Sequence, residues 1–362
     1  DTTDDLITLA YQLSPHPEKR ELDVLLSTGE IISSTLMAMT LQNMGYPAIS
    51  LTGAQAGIMT DTVHNMARIL KVETKRVLRE LGRGAIVIVA GFQGITEEMD
   101  VTTLGRGGSD TTAVALAASL GAKVCEIYTD VDGVYTADPR IIPEARKLEE
   151  IGYEEMLELA TYGSRVMHPR AVELGELFNL PILVASSFNR NSGTLIHREV
   201  TMEVRNKVRS IAHDLDVAKI TVAGIPDRPG IASIIFTALA EGGISVDTIV
   251  QNASTEKITD LTFTVAKSQL DGAMAVMAPV AREINARECL TSVDLGKVSI
   301  VGTGMQNAPG YAARMFRTLS DAGINIEMIS TSEIRITCII AADRVKDAVR
   351  ALHRAFELDV KD

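Results

Sequence analysis

The carboxyl-terminal half of this chain is a duplication, and a duplicated segment of this kind can fold in few ways. Pro229-Gly230 recurs as Pro309-Gly310, an offset of 80 residues. The same offset pairs Ala232 with Ala312, Phe236 with Phe316, Leu239 with Leu319, Gly243 with Gly323, Ile244 with Ile324 and Ile249 with Ile329. In each copy an apolar strand (220–224, 298–302) precedes the Pro-Gly pair. An amphipathic helix follows, with Ile231, Ile234, Ile235, Ala238 and Leu239 on one face of the first copy. A glycine ends that helix, and a strand, a second apolar strand and a helix follow. Each copy reads as βαββαβ, the ferredoxin-like pattern, and two adjacent copies should pack together.

The first half alternates instead. The pattern predicts a helix over 33–44 stopped by Gly45, a strand over 47–51, a helix over 75–81 and a β-branched strand over 85–90. A helix from Thr111 and strands over 124–128 and 180–185 follow. Continuous apolar strands between helices imply a mostly parallel sheet covered on both faces, an α/β/α sandwich. Ligands of such sheets lie beyond the carboxyl ends of the strands. Gly91-Phe92-Gln93-Gly94 and Thr129-Asp130-Val131-Asp132-Gly133 fall there. The expected division is an α/β domain over 1–200, a polar connector over 201–216, and repeats over 217–292 and 297–362. A carboxyl-terminal strand is a candidate to complete the first repeat.

Composition narrows the function classes. The net charge of −12 and the absence of Trp argue against a nucleic-acid surface. No uninterrupted apolar run is long enough to span a bilayer, and no signal-peptide pattern opens the chain. Cys125, Cys289 and Cys338 lack metal-ligand spacing and read as reduced thiols, which fits a cytoplasmic protein.

The chemistry concentrates in Thr102-Thr103-Leu104-Gly105-Arg106-Gly107-Gly108-Ser109-Asp110-Thr111-Thr112. Glycines let backbone N–H groups approach an anion, a helix start adds partial positive charge, and Arg106 offers a fork for carboxylate or phosphate. A tight turn is the bland alternative. Ser27-Thr28-Gly29-Glu30 reads equally as a helix cap or as ligand contacts. In the segment 129–140, Tyr135 is suited to stack on a base and Arg140 to face phosphate, although Asp, Gly and Pro also build turns. His16, His64, His168 and His197 have no spaced acidic partner and read as surface or packing residues. No Walker A pattern, protein-kinase catalytic loop or metal-ligand cluster is present.

Together, Ser27–Glu30, Gly91–Gly94, Thr102–Ala118, Glu126–Arg140 and the paired repeats resemble the aspartate kinase (aspartokinase) family nearly from end to end, with the repeats as ACT domains. The resemblance implies an amino-acid-kinase fold and ATP-dependent phosphorylation of the β-carboxylate of L-aspartate, with Mg²⁺, on the route to lysine, threonine and methionine. Arg106 and Glu30 would hold aspartate, with Thr28 and Phe92 beside them. Ser109 and Asp110 would complete the substrate and phosphate end. Thr129, Asp130, Tyr135, Arg140, Arg165 and Val166 would line the nucleotide site. Lysine or threonine would act as effectors at Asp227, Gly230, Ala232, Asp247, Gln251 and Asn252 of the first repeat and Asn325, Ile326, Ser330, Thr331 and Glu333 of the second. A homodimer or higher oligomer through the ACT sheets is expected, with neither nucleic acid nor membrane as partner. Relatives begin with a strand and a Lys-Phe-Gly-Gly-Thr-Ser loop that this sequence lacks, so an amino-terminally incomplete form of the protein is expected. The alternative is a non-catalytic amino-acid sensor in which the kinase layer only transmits.

Overall fold

The computed structural model describes residues 2–164, 166–198, 207–251, 258–305 and 308–360. Arg165 and Asn252, both expected site residues, lie outside them. Two compact units divide the chain: Asp1–Val134, Lys147–Thr161 and Arg165–Met202 form the first, and Tyr135–Arg146, Tyr162–Ser164 and Glu203–Asp362 the second.

The first unit runs α1 (Thr2–Leu13), α2 (Lys19–Asn43), β1 (Ala48–Leu51), β2 (Ile58–Thr60), β3 (Ile69–Val72), α3 (Lys75–Gly82), β4 (Ile86–Val89), β5 (Gln93–Ile95), β6 (Val101–Thr103) and α4 (Gly108–Ser119). It continues with β7 (Cys125–Thr129), β8 (Glu150–Gly152), α5 (Tyr153–Thr161), α6 (Pro169–Leu177), β9 (Ile182–Ser186) and β10 (Thr194–His197). Parallel ladders join β1 to β4, β7 to β9, β8 to β10 and β2 to β5. Antiparallel β3, β6 and β10 extend them. These additions were not anticipated, because strands of three or four residues are too short to show a period.

Helix α2 corrects two expectations. It begins at Lys19, so Ser27, Thr28 and Glu30 lie in mid-helix and do not cap its start. The Ser27 and Thr28 hydroxyls instead donate to the carbonyls of Val24 and Leu25, three residues back. Its end is as expected. Gly45 takes φ 89°, its N–H reaches the Gln42 carbonyl, and the Tyr46 N–H reaches that of Leu41. This paired closure leaves the last carbonyls bonded. By length and composition α2 is the one described helix able to cross a membrane. Serines and threonines interrupt its apolar run in sequence without making the helix polar. Its buried residues include Asp23 and Ser27, however, and Asp23 is tied into the unit by hydrogen bonds.

The second unit runs β11 (Ser210–Pro226), α7 (Ile231–Glu241), β12 (Ile249–Gln251), β13 (Ile258–Val265), α8 (Leu270–Glu283), β14 (Glu288–Val301), α9 (Tyr311–Asp321), β15 (Met328–Thr331), β16 (Arg335–Ala341) and α10 (Val345–Ala355). The duplication is visible in the backbone. Gly230 and Gly310 precede α7 and α9 at φ 99° and 104°, and Gly243 and Gly323 follow them at 69° and 65°. Helix α7 buries Ile231, Ile235 and Leu239 against Ile220, Val222 and Phe263, each buried aliphatic side chain contributing roughly 1.5–3 kcal/mol.

The repeats are not two separate sheets. One sheet has the order β12-β13-β11-β14-β16-β15, and β11 and β14 each serve both copies. The carboxyl-terminal half of β11 opens the first repeat. Its amino-terminal half, from Ser210, pairs with Val301 to Lys297 of β14 and supplies the last strand of the second. The second copy is therefore completed from upstream. Among the described residues no strand follows α10, contrary to the expected carboxyl-terminal strand, and residues 210–216 of the expected connector are sheet.

Candidate active site

In the first unit the loop after β6 is fixed from several sides before it reaches Arg106. Asp23, fully buried, accepts from the Thr103 hydroxyl at 2.5 Å, from His64 Nδ1 at 2.7 Å and from the Asn65 N–H at 3.1 Å. A buried carboxylate is tolerated only with this degree of bonding. The Arg170 guanidinium, near the start of α6, donates to the carbonyls of Leu104 at 2.6 Å and Ala67 at 2.9 Å. Gly107 takes φ 65°, and a Cβ there would fall 2.2 Å from the His168 side chain. Glycine is therefore required at this point both conformationally and sterically.

Ser109 and Asp110 stand in the first turn of α4, which starts at Gly108 and not at Thr111. Phe92 is brought to the same place. A Cβ on Gly108 would lie 2.7 Å from the Phe92 ring, and one on Gly91 would lie 3.3 Å from Ser109 Cα. The Phe92 N–H donates to the Thr112 hydroxyl at 3.0 Å, its carbonyl accepts from Leu104 N–H, and its φ is 65°. Thus Phe92, the glycine loop and the helix start form one constellation. Arg106 is exposed and has no hydrogen-bond or ion-pair partner among the described residues. An exposed fork beside the positive end of a helix is suited to anions.

Two expected site carboxyls are desolvated. Burial raises the Glu30 pKa above its ordinary value, and Glu30 Oε2 is buried with no hydrogen-bond partner among the described residues. Burial also raises the Asp110 carboxyl, against a backbone hydrogen bond from His168. Thr28, by contrast, spends its hydroxyl on Leu25.

The expected nucleotide residues are divided between the units. Thr129 ends β7 in the first and Asp130 follows it, with the Thr129 hydroxyl donating to Asp130 Oδ1 at 3.0 Å. Ser187, just past β9, donates its hydroxyl to the Thr129 carbonyl, and Asn191 donates to Asp132. Val166, half-buried, precedes α6. Tyr135 and Arg140 belong to the second unit. Tyr135 is half-buried, its carbonyl accepting from the Ser210 hydroxyl. Arg140 is exposed and paired with Asp138 at 2.9 Å. Burial pushes the Asp138 carboxyl up, but Arg140 outweighs it and holds the group below its usual range.

The expected effector residues fall in the second unit. Asp227, Gly230 and Ala232 surround the start of α7, and Gln251 is in β12. Asn325 and Ile326 lead into β15, which contains Ser330 and Thr331, and Glu333 follows in the turn. Strands β12 and β15 are the opposite edges of the sheet, so one chain does not join the two sets. Asp247 is already engaged by the Lys297 ammonium, which is buried. The mirror contact exists in the other copy: Lys219 of β11 bonds Glu327 at 3.1 Å. Each repeat's first strand thus sends a lysine to an acid of the other repeat.

Histidine pairing also departs from expectation: His64 bonds Asp23 and His197 bonds Glu150 at 3.1 Å. Those partners are 41 and 47 residues away, beyond any local spacing rule. Asp23 and Arg170 were missed for the same reason, although Asp23 lies two helical turns before Glu30 on one face of α2.

This α/β constellation is matched by known proteins. Residues 1–186 fit the amino acid kinase family, and residues 220–278 and 298–356 fit the ACT domain. Aspartokinases of Bacillus sp. (strain MGA3) and Thermus thermophilus are each 50% identical to the chain, covering 99% of it and 87% and 88% of their own lengths. The solved Escherichia coli aspartokinase III in complex with aspartate and ADP superposes with a TM-score of 0.82 at 26% identity, over 97% of this chain and 79% of that one. The same enzyme in complex with lysine and aspartate gives 0.71 at 26% identity, over 98% and 79%. The chain belongs to the aspartokinase family, kinases of L-aspartate.

Proposed function

We propose that Arg106, Glu30, Phe92 and Ser109 bind L-aspartate and that the protein transfers the γ-phosphoryl group of ATP to its β-carboxylate. Two observations support this assignment: among the described residues Arg106, exposed at the α4 start, has no hydrogen-bond or ion-pair partner, and one buried oxygen of Glu30 has none either. An amino acid needs a cation for its carboxylates and an acceptor for its ammonium. A β-carboxylate is ionised at neutral pH and is already a nucleophile, so no general base is needed. Catalysis is alignment together with charge stabilisation by Arg106 and by the N–H groups of the first turn at Ser109 and Asp110. Thr28, two residues before Glu30 on α2, is assigned to the same substrate end.

Thr129 and Asp130, with Tyr135, Arg140, Arg165 and Val166, are assigned to ATP. Mg²⁺ bound with the nucleotide phosphates would supply neutralisation of the charge that develops in transfer.

The ACT repeats are assigned to feedback control by lysine or threonine, in a cytoplasmic enzyme at the head of lysine, threonine and methionine synthesis that assembles through its ACT sheet. Support comes from the E. coli relative, described in complex with lysine, and from exposed polar groups at both sheet edges. The domain reading is a catalytic region over the first 200 residues followed by the two repeats. The test is hydroxamate trapping of aspartyl phosphate with Mg-ATP, using protein expressed from its full reading frame. Product above background that requires aspartate is expected, and a folded protein that forms none defeats the assignment.

A further inference from the structure

The segment Tyr135–Arg146 carries two of the residues assigned to ATP, yet it is built into the core of the second ACT repeat. Ala137, Ile141 and Ile142 are buried in one cluster with Leu352, Phe356 and Leu358 of α10 and the turn after it. Both legs of the segment are also tied there by hydrogen bonds. Arg146 Nε donates to the Leu358 carbonyl at 3.1 Å, and Thr136 Oγ1 meets His353 Nε2 at 3.0 Å.

Thr136 is 1% exposed and fully committed. Its N–H donates to the Arg146 carbonyl, and its carbonyl accepts from Ile211 N–H, both at 2.9 Å. Its hydroxyl oxygen accepts from Arg146 N–H at 2.9 Å. Its one proton can be donated to His353 Nε2, in the tautomer that keeps the ring proton on Nδ1, or its second lone pair can accept from Nε2–H. Burial lowers the His353 pKa, against the pull of Asp359 and Glu144, which favours the neutral ring.

We infer that His353 is a positioning residue for nucleotide binding: through Thr136 it holds the turn that presents Tyr135 and Arg140. This rests on the assignment of those two residues to ATP. Tyr135 directly precedes Thr136, and Arg140 follows it within one turn, where it pairs with Asp138. Leaving the buried Thr136 hydroxyl without its His353 partner favours any shift of the backbone that rehydrates it. Such a shift displaces both nucleotide contacts while leaving the Arg106 loop, part of the first unit, unchanged. An interior residue of the regulatory repeat thereby sets ATP affinity.

The experiment is calorimetric titration of Mg-ATP and, separately, of aspartate into His353→Leu, His353→Gln, Thr136→Val and Thr136→Ser. The Leu and Val variants should lose about tenfold in ATP affinity with less than roughly twofold change for aspartate. Gln restores a hydrogen-bond partner and Ser keeps the hydroxyl, so both should bind ATP as the unaltered protein does. The double variant His353→Leu/Thr136→Val should be no worse than either alone. Folded Leu and Val variants with undiminished ATP affinity overturn the inference, as does equal weakening of both substrates. If His353→Leu does not fold, the Thr136→Val and Thr136→Ser pair decides. An unaltered protein that binds aspartate but no ATP overturns the nucleotide assignment itself, a result distinct from the others.

Discussion

The Thr103 hydroxyl donates to Asp23 Oδ1 at 2.5 Å, joining residues 80 positions apart. This contact ties helix α2, which carries Glu30, to the strand that leads into Arg106. The two proposed aspartate contacts are therefore held by one buried carboxylate, which also restrains His64 and Asn65.

Asp23→Ala should cost about 3–5 kcal/mol, because several donors lose a buried anionic acceptor at once. Urea unfolding measures the loss, and aspartate affinity should fall with it even where the variant remains folded. A stable variant with normal aspartate affinity would show that the carboxylate is not what organises the loop.

Arg106→Ala should weaken aspartate use by about 2–5 kcal/mol while changing ATP affinity little. Steady-state kinetics with each substrate varied in turn is the check. Equal, small effects on both would reduce Arg106 to a loop brace.

Glu30 adds a pH signature. Its carboxyl sits above the ordinary range because burial disfavours its charge. The protonated form is favoured in the empty site, so this group's contribution to stability is present at low pH and lost as pH rises through the folded pKa. Aspartate binding has the opposite sign, since an ammonium needs the ionised form. Affinity should fall as pH drops through that raised pKa, and Glu30→Gln should weaken binding and flatten the profile. An unaltered pH profile in Glu30→Gln would assign the titration to another group.

Gln251→Ala, at the end of β12, should relieve inhibition by lysine or threonine with uninhibited turnover nearly unchanged. A tenfold rise in the inhibitory concentration corresponds to about 1.4 kcal/mol of coupling. Asp247→Asn should act in the same direction, and it would also release the Lys297 ammonium. Inhibition that persists at the original effector concentration would place the effector elsewhere.

Cysteine chemistry offers a test independent of ligands. Burial pushes the Cys125 thiol up, helped by nearby Asp110 and Glu126, to about 11, and burial pushes the Cys338 thiol to about 12. The thiolate is the reactive form, so both should resist thiol reagents at about pH 8 until the protein unfolds. Partly exposed Cys289 should react first. Rapid native labelling of all three would contradict the packing of β7 and β16.

Much of this molecule is written locally. The 80-residue offset became matched glycine turns, because positive φ is a property of single positions that a sequence displays openly. The Arg106 loop was visible because glycines, a cation and a helix start are contiguous. Helix α2 was only half visible: Ser27 to Glu30 look like a cap, and what makes them helix interior is the upstream segment from Lys19, held by buried Asp23 and Leu26. Relations of tertiary structure were not legible at all. Nothing local pairs Asp23 with Thr103, His353 with Thr136 or Lys297 with Asp247. Nor could it show that β11 finishes the second repeat from upstream, since both orders satisfy the same alternation of strands and helices. Hydrophobic periodicity states which face of an element is buried. Only the closed, hydrogen-bonded interior decides which distant partner meets it, because a buried polar group must find its partner wherever the fold brings one.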